Sequence, residues 1–280
     1  MTVAEAIIFG IVQGIAEFLP ISSSGHLALG HNLFGAEESN YLPFDVLLHL
    51  ATLVAVCLVY YRDVWLIIKG FFTLIKKLFT GRLFGKGLRE KLNYGEKLFV
   101  MLLIATIPLI PISLLTDKVE NIQKVTWIIG LLLIINGLML YLADKMNTGN
   151  DDIKKSDLQK PFYIGLFQVI GILPGISRSG STITGGLFFG FNRQDAVKFS
   201  FLMSIPAILG ACVLELPDFF STGISTEMIK PCVAGAISAV IIGFLAIKLL
   251  QYIAKNKSFG IFSIYCIFIG ITAIAFDLLK

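Results

Sequence analysis

Pro174-Gly175-Ile176-Ser177-Arg178-Ser179-Gly180-Ser181-Thr182 sets an arginine, four hydroxyls and two glycines inside an otherwise apolar region. A guanidinium in hydrocarbon costs about 2.5 to 3.5 kcal/mol on insertion scales, so an arginine placed there marks a functional site with an anionic partner. The flanking proline and glycines interrupt a helix, which makes the stretch the tip of a hairpin of two half-length helices rather than part of one span.

The rest of the composition agrees with a membrane setting. The chain has 280 residues, 56% of them hydrophobic and 15% charged, with a mean hydropathy of +0.82. Several apolar runs reach about 18 residues, the length needed to cross a bilayer. The first twenty residues lack a basic leader and carry Gln13 and Glu17 where a signal peptide is uniformly apolar, so they are expected to belong to the mature fold. Cys57, Cys212, Cys232 and Cys266 sit singly in apolar text and read as small core residues, not as metal or disulfide sites. A net charge of +4 is too small for a nucleic-acid partner.

The broken pattern occurs twice. Residues 2–33 are interrupted by Pro20, Ser22-Ser23-Ser24 and Gly25, and an ungapped shift of 155 carries Gly10 onto Gly165, Gln13 onto Gln168 and Ile21-Ser22 onto Ile176-Ser177. The same register continues through Ser24-Gly25 with Ser179-Gly180, Phe34-Gly35 with Phe189-Gly190 and Cys57 with Cys212. Self-similarity held over that distance is the mark of an internal duplication. The expected fold is an all-α integral membrane protein with an inverted-topology repeat, each half one re-entrant helical hairpin plus three transmembrane helices. The first repeat, 1–143, holds a hairpin over 2–33 and spans over 44–61, 98–115 and 125–143. A cytoplasmic linker, 144–160, follows. The second repeat, 161–280, holds a hairpin over 162–190 and spans over 196–216, 229–254 and 260–279. An odd number of crossings per half inverts the second half, and such folds place their sites near the midplane where broken helices meet.

Charge supplies the orientation. Arg62, Lys69, Lys76, Lys77, Arg82, Lys86, Arg89, Lys91 and Lys97 crowd one segment, and the loops on the other side are acidic or neutral, with Glu37, Glu38, Asp218 and Glu227. The basic side is therefore read as cytoplasmic and both termini as external. The 62–97 segment itself, with Phe71, Phe72, Leu74, Leu78 and Phe79 among its cations, reads either as an amphipathic surface helix or as a loop whose charge only sets orientation.

Function should lie where the two halves differ. At the matched tips Glu17 stands opposite Ile172, Ser23 opposite Arg178 and His26 opposite Ser181. Arg178, among glycines and serines at a half-helix N-terminus, suits a multiply charged phosphate; alternatively it forms a structural ion pair with Glu17 or Asp45. Ser23 can act as a nucleophile if a base activates it, and His26 can be that base or the acid for a leaving group. Both also have simpler uses, in a turn or a core. Gln13 and Glu17, spaced i, i+4, share one helical face. Their oxygens suit a hard divalent cation, Mg²⁺ or Ca²⁺, completed by substrate and water; alternatively Gln13, matched by Gln168, packs helices.

With these residues assembled, the sequence resembles the bacitracin-resistance type undecaprenyl-diphosphate phosphatases, through Gln13-x-x-x-Glu17-Phe-Leu-Pro-Ile-Ser-Ser-Ser-Gly-His26 and Pro174-Gly-Ile-Ser-Arg178-Ser-Gly-Ser-Thr182. The resemblance runs nearly end to end. It implies a multi-pass enzyme of the bacterial plasma membrane that removes the terminal phosphate of a polyprenyl diphosphate and so recycles the lipid carrier for cell-wall synthesis. It also implies a divalent cation, a site open to the extracytoplasmic side, and room for a homodimer. Carried over by position, Glu17 and Gln13 belong to the metal site and Ser23, His26 and Arg178 to the catalytic centre. Ser22, Ser177, Ser179, Gly180 and Thr182 belong to the substrate contacts. The family often has Glu at the position of Gln13, so this chain's metal site carries one formal charge less. The rival reading is a polyprenyl-phosphate flippase or transporter, since inverted repeats with broken helices are a common transporter design. Within the phosphatase reading, Ser22 or an activated water could replace Ser23 as the attacking group.

Overall fold

The computed structural model describes residues 1–34, 42–80, 92–112, 122–146, 149, 151–222, 226–256 and 258–279; they are helical, with no strand among the described residues. Val3–Ala16 (α1) and Ser23–Phe34 (α2) form the first hairpin, followed by Leu42–Val59 (α3) and Tyr61–Phe79 (α4). Tyr94–Thr106 (α5) and Thr126–Lys145 (α6) come next. Lys160–Ile170 (α7) and Arg178–Phe188 (α8) form the second hairpin, and Arg193–Thr222 (α9), Ile229–Asn256 (α10) and Gly260–Leu279 (α11) complete the chain. Among the described residues α6, α9, α10 and α11 are each long and apolar enough to cross a membrane.

Local chemistry sets the boundaries. Thr2 begins α1 with a reciprocal cap: the Glu5 N–H donates to the Thr2 hydroxyl at 3.2 Å and the Thr2 N–H to the Glu5 carboxylate at 2.8 Å. Asn93 and Glu96 repeat the device at α5, at 3.0 and 2.9 Å. The expected span over 98–115 is α-helical only as far as Thr106. A 3₁₀ turn, Ile107–Leu109, follows, because Pro108 and Pro111 bring no N–H to continue the ladder. Residues 113–115 of that span lie outside the described residues. The expected span over 44–61 falls on α3, after which the chain turns by 95° into α4. Of the two readings of the basic segment, the amphipathic helix is the one formed, through Phe79; residues 81–91 lie outside the described residues.

Packing places the two breaks at one depth. The α1 and α10 helices start together, with Met1, Ala6, Phe44 and Met228 in one apolar cluster. Phe18, just past the end of α1, lies against Gly243 near the middle of α10, and its ring meets Phe201 edge-on at 5.5 Å. The second hairpin starts from the other end of α10: Ser258, just beyond α10, bonds to Asp144; Asp144 pairs with Arg193 at 2.8 Å; and Lys160, the first residue of α7, pairs with Asp151 beside them. The hairpins thus enter from opposite ends of α10, and their breaks meet near the middle of α6, which packs against α11 with Gly130 and Gly270 in close approach.

Candidate active site

Two helix N-termini converge where the breaks meet. Ser23 is the first residue of α2 and Arg178 the first of α8, and both line one cavity of about 50 Å³ together with Glu17, Ser22, Ser24 and Ser177. Opposed N-termini present backbone N–H groups and the positive ends of two helix dipoles to the same space, which favours an anion.

The backbone there is tightly specified. Ser22 has φ 70°, a left-handed conformation that a residue with a Cβ adopts only under constraint. The constraint is its own hydroxyl, which accepts the N–H of Gly25 at 3.2 Å and the N–H of Gly175 at 3.1 Å, and so ties one hairpin to the other. Gly175 itself has φ 103°, and its backbone approaches Gly25 so closely that a Cβ on Gly25 would lie 2.7 Å from the Gly175 Cα. Ser177 caps α8 by accepting the Gly180 N–H at 3.1 Å.

Fully buried Asn136 joins both breaks to α6: its amide donates to the Pro20 carbonyl at 3.0 Å and accepts the Ser177 N–H at 3.0 Å. Asn136→Leu strands both groups in an apolar interior, at about 1 to 3 kcal/mol each. The variant is expected to melt several degrees lower in detergent; an unchanged melting temperature would mean that the bridge does not hold the tips.

The charged centre is asymmetric. Of the two carboxylates considered as partners for Arg178, Glu17 is the one it meets: Arg178 Nη2 donates to Glu17 Oε1, with the side chains 17% and 7% exposed. The other terminal guanidinium nitrogen, Nη1, is buried without a partner among the described residues. The second Glu17 oxygen faces Gln13, whose amide nitrogen lies 3.2 Å from Oε2 and 3.2 Å from His49 Nδ1; His49 Nδ1 is 3.7 Å from Oε2. Ser23 and the Glu17 carboxylate line the same cavity.

The structure therefore gathers Gln13, Glu17, Ser22, Ser23, Ser177 and Arg178, and leaves four other expected residues further off. No hydrogen bond joins His26 to Ser23: His26 Nδ1 engages the Ser22 carbonyl at 2.8 Å, and Nε2 engages the Tyr265 hydroxyl at 2.8 Å, with the two rings stacked. The left-handed turn at Ser22 points its carbonyl back along α2, where the His26 ring takes it. Thr182 is buried and bonds to the Arg178 carbonyl at 2.9 Å and the Ser200 hydroxyl at 2.6 Å. Ser179 bonds to the Ser177 hydroxyl at 3.0 Å and, more weakly, to the Leu19 carbonyl at 3.4 Å. Gly180 lies against Asn136 and Pro20, with its N–H used in the cap. Sequence reasoning passed over His49, Asn136 and Tyr265. The first two are lone polar groups in apolar spans, which is the signal that could have found them.

The donor set bears on a cation. Among the described residues no three His, Cys, Asp or Glu side chains gather, so the protein alone builds no closed cage. Glu17 Oε2 and His49 Nδ1 lie 3.7 Å apart, with the Gln13 amide nitrogen 3.2 Å from each; the carboxylate and imidazole fit a divalent ion taking its remaining ligands from phosphate and water, and Gln13 joins them only with its amide turned to present the oxygen.

Comparison with known proteins gives the family. The chain is 44% identical over 280 residues to an undecaprenyl-diphosphatase of Alkaliphilus metalliredigens, covering 100% of both chains. It is 42% identical over 276 residues to one of Methanosphaera stadtmanae, covering 98% of each, and 36% identical over 275 residues to one of Halothermothrix orenii, again 98% of each. Residues 6–272 match the family described as bacitracin resistance protein BacA, and the chain belongs to that family of multi-pass membrane proteins.

Proposed function

We propose that the protein is an undecaprenyl-diphosphate phosphatase, which hydrolyses the terminal phosphate of a polyprenyl diphosphate and leaves the lipid monophosphate. The observation that carries this reading is Arg178 Nη1, a buried donor without a partner among the described residues, set between two helix N-termini beside a serine at the depth where the hairpins meet. The relatives bearing that activity in their names cover the whole chain, which supports the same substrate class.

In the reaction the diphosphate head group enters the tip cavity, with the polyprenyl chain among the spans. Arg178 binds its oxygens through Nη1 and, on rearranging from Glu17, through both terminal guanidinium nitrogens. Ser23 Oγ attacks the terminal phosphorus as its proton passes to Glu17, whose carboxylate lines the same cavity. The phosphoanhydride bond breaks, the lipid monophosphate leaves, and water hydrolyses the phosphoserine to release phosphate. His26 acts as a positioning residue, holding the Ser22 carbonyl and with it the turn that presents Ser23. Gln13, Glu17 and His49 would hold the divalent cation, which when bound supplies charge neutralisation to the phosphates.

The inverted repeat belongs to the same reading. Entry of the hairpins from opposite ends of α10 supports it, and the cations gathered on α4 support an external opening for the site by the positive-inside tendency.

Phosphate release from undecaprenyl diphosphate by the detergent-purified protein, with and without a chelator, tests the activity. Release that stops with chelation, with lipid monophosphate as the second product, is expected. No release from monodisperse protein would favour the flippase, which recognises phosphate but does no chemistry once the membrane's two sides are gone.

A further inference from the structure

Helix α4 is divided lengthwise into three faces, and the division follows a seven-residue spacing, close to two turns of helix. Asp63, Gly70 and Lys77 form the docked line. Asp63 pairs with Lys198 on α9 at 2.6 Å, Lys77 pairs with Glu96 on α5 at 2.6 Å, and Gly70 lies so near the α5 backbone that a Cβ would come within 2.4 Å of the Gly95 carbonyl carbon. The helix is thus held against the bundle at three points along its length.

Next to that line run Arg62, Lys69 and Lys76, again seven apart and one residue earlier in each case. Among the described residues no carboxylate pairs with any of them. Arg62 donates to the Tyr61 hydroxyl at 2.9 Å, and the Lys69 ammonium stands over the Trp65 ring at 5.1 Å. The third face is apolar and uncovered: Trp65 is 57% exposed, Phe72 63% and Phe79 86%, with Ile68 beside them. Because the chain turns by 95° between the apolar α3 and α4, a membrane-crossing α3 lays α4 along the bilayer surface.

We propose that α4 is a docking surface for anionic phospholipid. The Trp65, Ile68, Phe72 and Phe79 face sits among the upper acyl chains, and the Arg62, Lys69 and Lys76 line binds headgroup phosphates. Three cations on one line with no carboxylate partner among the described residues, rigidly docked and bordered by an exposed aromatic face, match a plane of phosphodiesters. An acidic protein partner would leave the aromatic face uncovered, and a second copy would bring the same cations together. This surface stands apart from the tip cavity and does not depend on the reaction assigned there.

The chain has two tryptophans, so a Trp127→Phe variant leaves Trp65 as the single reporter. Reconstituted in phosphatidylcholine nanodiscs, it is titrated with brominated phosphatidylglycerol or, in parallel, with brominated phosphatidylcholine. Trp65 is expected to be quenched by both lipids, with phosphatidylglycerol effective at far lower mole fraction and its advantage falling as salt is raised. Neutralising the line (Arg62→Gln, Lys69→Gln, Lys76→Gln) is expected to reduce that preference on the order of a hundredfold, whereas Lys69→Arg with Lys76→Arg retains it. Equal quenching by the two lipids, or a preference that salt leaves unchanged, would overturn the proposal in the Trp127→Phe protein alone, with the cation line intact. So would an undiminished preference in the neutralised protein. Absence of quenching by either lipid would overturn it as well, placing Trp65 outside the bilayer against some other partner.

Discussion

Arg178→Ala is expected to lower kcat/KM for polyprenyl diphosphate hydrolysis by about 10² to 10³, the scale on which removing one preorganised charge donor slows reactions of this kind. The loss has two origins that measurement can separate. The phosphate loses its forked donor, and Glu17 is left as a buried carboxylate without its partner, which destabilises by about 3 to 5 kcal/mol when a buried pair is broken on one side. Arg178→Gln combined with Glu17→Gln removes both charges and is expected to recover much of the melting temperature with no recovery of activity. Arg178→Lys keeps the charge without the fork and is expected to stay well below wild type. Wild-type kcat/KM in a well-folded Arg178→Ala protein would reduce the ion pair to a structural feature.

Ser23→Ala is expected to remove the activity almost entirely, by three orders of magnitude or more, with little change in melting temperature, because a nucleophile's contribution is to the reaction rather than to the fold. Ser22→Ala should behave in the opposite sense. Its hydroxyl accepts two backbone N–H groups, one from each hairpin, so its loss costs stability of about 1 to 3 kcal/mol for each donor left unpaired. Rapid quenching of the wild-type reaction should trap phosphate on Ser23. A Ser23→Ala enzyme at wild-type rate would transfer the attack to Ser22 or to water.

The breaks were readable in the sequence because proline, glycine and serine runs inside apolar text leave a helix few alternatives. Their shared register across 155 residues pairs the tips, and the ion pair between Glu17 and Arg178 is among the partners that the sequence allows. Depth was not readable. Periodicity tells which face of a helix a residue occupies, but not which neighbour stands at the same height, so His49 in α3 and Asn136 in α6 passed as ordinary span residues until packing set them beside the tips. The partners of His26 were not readable for a related reason. Its spacing from Ser23 puts both on one side of α2, but the ring direction is set by the carbonyl of a left-handed Ser22 and by Tyr265, 239 residues further along the chain. Thr182 likewise sits one turn into α8, where its hydroxyl returns to the helix backbone and to Ser200. In α5, two prolines ended the helix that hydropathy alone extended to residue 115.

The measurement closest to the chemistry is a structure of the protein bound to a polyprenyl methylenediphosphonate, a substrate analogue whose bridging carbon cannot be cleaved. The terminal phosphonate is expected in the tip cavity, about 3 Å from Arg178 Nη1 and within reach of Ser23 Oγ, with the guanidinium turned from Glu17 toward the ligand. A head group bound at another depth, with the Glu17 and Arg178 pair still closed over the cavity, would contradict the placement of the site at the meeting of the two hairpins.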